Sequence, residues 1–242
     1  MMRRAAIAFG VSLTAFALPA TALAQTAKGF GETGQAILSV ERLMPLLAYE
    51  NAKVTTGNDS TSAGITSFAL VVHDRRDTFY NAPRFAFDYV VTSHLTIGGS
   101  AYVYTQLSDS ATTTTNNRSV SVDAPRETLW GIAPRIGYVI GLSDSFAFWP
   151  RGGFSFNDGT NSSEQIATTN AGGVSTTLFA LDLEPTFVWV PIEHVGITAS
   201  GILDIPITGS ASVPNGDNPN VFTSYDLVEW QVGLHVGLLA YF

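Results

Sequence analysis

Nine charged side chains in this sequence share one property: each lies in a stretch where apolar and polar residues alternate, on the polar side of the alternation. They are Glu41, Arg84, Asp88, Arg135, Arg151, Asp182, Glu184, Asp204 and Glu229. Three guanidinium groups among six carboxylates suit a network, because the planar arginine fork bridges two carboxylates and stays charged. The same acidic excess would also suit a narrow water path favouring cations. Catalysis is harder to assemble from what is present. The four histidines are His73, His94, His194 and His235. His235 and Glu229 stand six positions apart on one extended stretch, about 20 Å, too far for a hydrogen bond. No nucleophile, base and orienting group come together in the sequence, so no enzyme is expected. The oxygen-rich stretches 157–161 and 215–218 lack the ligand spacing of a calcium loop and read as turns. With no cysteine there is neither a disulfide nor a thiolate site, and no metal or other cofactor is expected.

Bringing these nine residues together requires strands. Val228, Trp230, Val232, Leu234, Val236, Leu238, Ala240 and Phe242 alternate with Glu229, Gln231, Gly233, His235, Gly237, Leu239 and Tyr241, one face apolar and the other mostly polar or small. The spacing predicts eight strands, near 35–42, 83–91, 95–107, 129–140, 145–156, 174–190, 195–208 and 225–242. Segments 51–64, 108–128, 157–173 and 209–224 are rich in Ser, Thr, Asn, Gly and Asp and read as loops. The links at 92–94, 141–144 and 191–194 are very short, with His94 and His194 in two of them. Short and long links therefore alternate. Segment 65–72 has some strand character, but alone it would place long loops at both ends, so it is assigned to a long first loop, 43–82. A ten-strand arrangement is the alternative, since bacterial barrels favour even counts. Segments 87–100 and 187–200 align without a gap and share Phe, Val, His, Ile and Ser, a sign of repeated hairpin geometry.

The N-terminus reads as an export signal: Arg3 and Arg4, an apolar stretch 5–18, Pro19, then Ala22, Leu23 and Ala24 before a cleavage site at Gln25. That leaves 25–34 as a lead and 35–242 as one domain. Hydrophobic residues make up 45% of the chain and charged ones 13%, yet beyond the signal no run approaches the ~18 apolar residues of a spanning helix. A formal net charge of -8 with just Lys28 and Lys53 as lysines argues against a nucleic-acid partner. A soluble sandwich would cover its outer faces with charge. Here the apolar face instead carries large aromatics near the strand ends: Tyr89, Tyr138, Phe146, Trp189 and Phe242 toward the short turns, Trp130 and Trp230 toward the long loops. Two such girdles mark headgroup depth, and a sheet in lipid has to close on itself. The expected fold is all-β, an eight-stranded antiparallel up-and-down transmembrane β-barrel, its interior just wide enough to be filled by side chains.

On these features, and on a last strand ending Val236-Gly237-Leu238-Leu239-Ala240-Tyr241-Phe242, the chain over 34–242 resembles the small outer-membrane β-barrel proteins of Gram-negative bacteria, the superfamily of the outer membrane protein A barrel and the opacity proteins. The resemblance implies residence in the bacterial outer membrane, extracellular loops, periplasmic termini, contact with outer-membrane lipid and lipopolysaccharide, and insertion by the barrel-assembly machinery, which reads the terminal aromatic. It does not imply one activity. Lipid A deacylases of this size carry a His-x-Ser arrangement, which is absent here. A monomer is expected, without a downstream peptidoglycan-binding domain because the chain stops at Phe242. The functional expectation is a structural or surface-interaction role with the lumen plugged by the Arg/carboxylate network; the alternative is a small diffusion pore for ions or small solutes.

Overall fold

Alternation in the sequence appears in three dimensions as alternation of burial, with the usual sense reversed. Along β3 (Arg84–Thr92) the buried residues are Arg84, Ala86, Asp88 and Val90, while Phe85, Phe87 and Tyr89 are exposed. Along β10 (Val174–Ile192), Asp182, Glu184 and Thr186 are buried, while Leu183, Phe187 and Trp189 are exposed. The computed structural model describes residues 29–56, 59–68, 82–105, 110–115, 118–123, 126–162, 173–215 and 218–242. The expected signal 1–24, the first residues of the lead, and His73 lie outside them.

The remaining strands are β1 (Ala36–Thr56), β2 (Asp59–Phe68), β4 (Leu95–Thr105), β5 (Ser110–Thr115), β6 (Arg118–Asp123), β7 (Arg126–Tyr138), β8 (Ile140–Ser143), β9 (Phe146–Ser162), β11 (Val195–Asn215) and β12 (Asn218–Tyr241). Pairing runs β10-β11-β12-β1-β3-β4-β7-β9, and β9 pairs back onto β10, so the ring closes. Every neighbour in it is antiparallel. β8 continues β7 along the same partner, in the register set by Gly137↔Arg151 and resumed at Ile140↔Phe148. The wall therefore has eight positions, and the fold is the antiparallel barrel anticipated from the sequence.

Several expected loops are strands instead. β1 runs on to Thr56, and β2 pairs with it from Leu47↔Phe68 to Thr56↔Asp59, so the first loop, 43–82, begins as a hairpin. The parity is preserved because β3 takes the lower edge of β1, Ala36 to Glu41, and β2 the upper edge. β5 and β6 form a hairpin within 108–128, β9 extends to Ser162, and β11 and β12 stay paired through 209–224 up to Asn215↔Asn218. Hydrophobic alternation fails as a guide there because these strands lie beyond the apolar belt, where both faces can meet water, while Ser, Thr and Val still suit extended chain.

At the other end the turns are tight. His94 and His194 have positive φ, 69° and 67°, the left-handed residue that closes a hairpin turn beside a β-bulge, and the register shifts there, between Val90 and Thr92 and between Trp189 and Ile192. Their carbonyls accept from Val139 N at 2.8 Å and Tyr241 N at 3.0 Å, and the Ser145 carbonyl accepts from Val190 N at 2.8 Å. The histidines are thus turn residues, each pinning a turn to the neighbouring strand, and this shared geometry underlies the similarity of 87–100 and 187–200.

Candidate functional site

The lumen is filled in three layers. At the short-turn end, Phe30, Val90, Val139, Trp149, Leu239 and Tyr241 belong to one buried apolar cluster. Phe30 comes from the lead, not from a strand. Gly29, Gly31 and Gly34 all have positive φ, and the Gln35 side chain closes the turn by accepting from the Gly31 and Glu32 amides and donating to the Gly29 carbonyl. This knuckle places the Phe30 ring edge-on to Trp149 at 5.7 Å and to Tyr241 at 5.3 Å. Gly31 packs so tightly that a Cβ there would sit 2.7 Å from Val139 Cγ1. Residues 29–35, the end of the expected lead and the first residue of the expected barrel domain, stopper this end of the lumen.

Above this layer lie the charges. Arg135 donates to both oxygens of Glu41, at 2.7 and 2.8 Å, and to both oxygens of Asp88, at 3.0 and 2.6 Å. Arg151 pairs with Glu41, and with Glu184 at 3.0 Å. Glu184 is the node of the network, reached also by Arg135 at 3.5 Å and by Arg42 at 2.9 Å. Arg42 continues to Asp204 at 3.2 Å, and Arg84 lies 3.8 Å from Asp182, which accepts from Ser155 at 2.8 Å. Trp149 joins the two layers: its indole N–H donates to Thr96 Oγ1 at 3.0 Å, and the Arg151 guanidinium lies 4.5 Å from its ring centroid, a favourable cation–π placement. Inward glycines make the room. A Cβ on Gly137 would be 2.6 Å from Trp149 Nε1 and 2.9 Å from Arg151 Cγ.

Eight of the nine expected residues are tied by these ion pairs, and Glu229 faces inward, half-buried, nearer the long-loop end. Arg42 is the addition. Strict alternation puts it beside Val40 on the outer face, but a bulge between Val40 and Met44 and a φ of 54° at Arg42 turn it inward directly after Glu41. A lone arginine on an otherwise apolar face was the available signal, since lipid does not tolerate an unpaired charge there.

The third layer is apolar again: Ala82, Tyr102, Leu129 and Leu178, with Tyr104 packed against them. Tyr102 donates to Asn157 Oδ1 at 2.9 Å, and Asn157 Nδ2 donates to Ser155 Oγ at 3.3 Å. Replacing Tyr102 with Phe strands a buried acceptor and is expected to cost about 1–3 kcal/mol, read as a lower urea midpoint of the folded barrel in lipid vesicles. Beside the charges, a cavity lined by Ser100, Arg135, Arg151, Asp182 and Glu184 measures about 10 Å³, room for one water at most. Among the described residues, no group of three or more His, Asp or Glu could hold a metal ion.

On the outside, Tyr89, Trp130, Tyr138, Phe146, Trp189 and Phe242 are all exposed. Trp230 is partly covered by Tyr49, ring centroids 5.3 Å apart. Phe156 stands beside Trp130 at 5.5 Å. On β10, Phe179 and Trp189 are ten residues apart, about 34 Å along the strand or about 24 Å along the barrel axis at a 45° tilt, close to the height of an outer-membrane apolar band.

No family model matches this chain, and no curated protein does. Among solved structures it is similar to the outer membrane protein OprG from Pseudomonas aeruginosa, with 13% identity over 86% of this chain and 96% of that one and a TM-score of 0.46. It is also similar to Neisserial surface protein A, with 11% identity over 86% and 97% and a TM-score of 0.38. A third is the outer membrane protease OmpT from Escherichia coli, with 6% identity over 88% and 98% and a TM-score of 0.44. The fold described above rests on the chain's own strand pairing.

Proposed function

We propose that this chain is an integral outer-membrane barrel with a closed lumen, serving envelope structure or contact at the cell surface, and that it is not an enzyme. The observation that carries the reading is the reversed burial: charge buried at the centre, large apolar side chains exposed around the outside. Leu38, Phe85, Phe87, Ile132, Ile136 and Phe187 are each at least half exposed, an arrangement that water disfavours and lipid rewards. Outer-membrane lipid and lipopolysaccharide are the partners such a wall fits. In this reading the tight turns and both termini are periplasmic, and the long hairpins of β1 with β2 and β11 with β12 reach outward, where they are free to meet a partner. Insertion by the barrel-assembly machinery through the Phe242 end belongs to the same proposal.

The Phe30 stopper and the 10 Å³ cavity support a plug over a diffusion pore. Planar-bilayer recording of the purified, refolded protein is expected to be electrically silent. Reproducible conductance steps of the unmodified protein would overturn the closed lumen in favour of the pore.

A further inference from the structure

Five prolines stand in the barrel wall around the charged layer: Pro45 in β1, Pro134 in β7, Pro150 in β9, Pro185 in β10 and Pro206 in β11. Proline has no N–H to give a ladder, and a closed barrel has no edge strand on which that loss is harmless. The pairing lapses where they stand. β7 and β9 pair at Ile132↔Phe156 and again at Arg135↔Gly153, in one register, with no pair between; Pro134 lies in the gap. The same seam lapses between Gly137↔Arg151 and Ile140↔Phe148, at Pro150, which splits the wall strand into β7 and β8. β10 and β11 pair at Leu183↔Leu203 and at Thr186↔Ser200, and the gap holds Pro185. β11 and β12 lose pairing between Asp204↔Gln231 and Ser210↔Asp226, a stretch containing Pro206. Pro45 lies in the doubly bulged part of β1.

The ion pairs sit at the same places. Pro134 immediately precedes Arg135, Pro150 precedes Arg151, and Pro185 follows Glu184; Asp204 and Arg42 are two and three residues before Pro206 and Pro45. Their partners lie across the lumen: Arg135 of β7 on Glu41 of β1 and Asp88 of β3, Arg151 of β9 on Glu41, and Arg42 of β1 on Glu184 of β10 and Asp204 of β11. In lipid a missing ladder bond has no water to replace it, so a wall selected for rigidity alone would avoid proline at these positions. We propose that the charged layer is a latch on a loosened waist: cross-lumen ion pairs hold shut the seams the prolines have opened, and releasing them lets the seams part and admits water. This rests on the closed-lumen reading and adds a way for the barrel to open.

The test combines Glu184→Gln, which cuts the node, with Pro134→Val and Pro185→Val, which restore two donors from lipid-facing positions. In bilayer discs, Glu184→Gln is expected to speed hydrogen exchange about tenfold or more at the amides bracketing the gaps, Phe156 and Leu203 among them, as loss of an interaction worth more than one hydrogen bond requires. The unbroken β4–β7 seam, sampled at Tyr102 and Gly131, should hold its rate, and conductance steps should appear. Adding the two valines should slow the gap amides again by about five- to tenfold for each donor and silence the conductance. An exchange increase spread evenly over all seams, or valines that rescue nothing, overturns the latch while leaving the closed lumen standing. Conductance of the unmodified protein overturns the closed lumen itself. Asp204→Asn, which cuts just the Arg42 arm, carries the same pair of outcomes if Glu184→Gln does not insert.

Discussion

Arg135→Ala is expected to lower the stability of the folded barrel by about 3–5 kcal/mol, the range for breaking a buried ion pair by removing one partner. Arg135 is bidentate to Glu41 and to Asp88 at once and also reaches Glu184. Its loss leaves Asp88 without that fork, and leaves Glu41 and Glu184 with fewer arginines between them, beside a cavity with room for one water at most. Arg135→Lys should recover only part of the loss, because an ammonium is a point charge and cannot fork onto two carboxylates. Both effects are read from the urea midpoint in lipid vesicles and from the temperature at which the compact gel band gives way to the unfolded one. An unchanged midpoint and unchanged heat resistance in Arg135→Ala would mean that Arg135 contributes nothing to the stability of the barrel.

Phe30→Ala should cost a comparable amount, about 3–5 kcal/mol, as large-to-small changes in a packed core do. Its ring fills the end of the barrel between Trp149 and Tyr241, and the knuckle that carries it cannot collapse into the space, being fixed by Gln35 and by three glycines at positive φ. The cavity would lie directly beneath Trp149, so a small neutral quencher should reach that indole in the variant and not in the parent. Glu32→Ala, on the exposed side of the same knuckle, should stay within about 0.5 kcal/mol of the parent. If Phe30→Ala behaves like Glu32→Ala, the Phe30 ring is no stopper.

What could be read in advance follows from where alternation has a cause. Between the girdles one side of each strand meets an apolar surround and the other a crowded interior, so Phe85, Phe87 and Tyr89 against Arg84, Ala86 and Asp88 announce the fold by themselves. Where that contrast ends, the reading ends: 209–224 looks like loop because Ser210, Ser212 and Thr223 carry no apolar contrast, yet the backbone stays paired. Arg42 escaped for the opposite reason. The rule applied, but a bulge between Val40 and Met44 broke its phase, and the mismatch between Arg42 and its apolar face is the trace it left. Phe30 escaped because a single aromatic among glycines has no periodicity at all. The prolines are legible in hindsight as neighbours of inward charges, a pairing that neither the alternation nor the turn rules considers.

With the outer face in lipid and the lumen sealed, the four tryptophans report directly on which side of the wall meets what. Trp130 and Trp189 are exposed outward, Trp230 lies at the outer face beside Tyr49, and Trp149 is fully buried in the lumen. Four single-tryptophan variants, with the others replaced by Phe, can be reconstituted into vesicles whose acyl chains are brominated, and their fluorescence compared with that in unlabelled lipid. Strong quenching of Trp130, Trp189 and Trp230 by the brominated chains is expected, and none of Trp149. Quenching of Trp149 by lipid, or outer tryptophans quenched by aqueous iodide and untouched by the brominated chains, would contradict it.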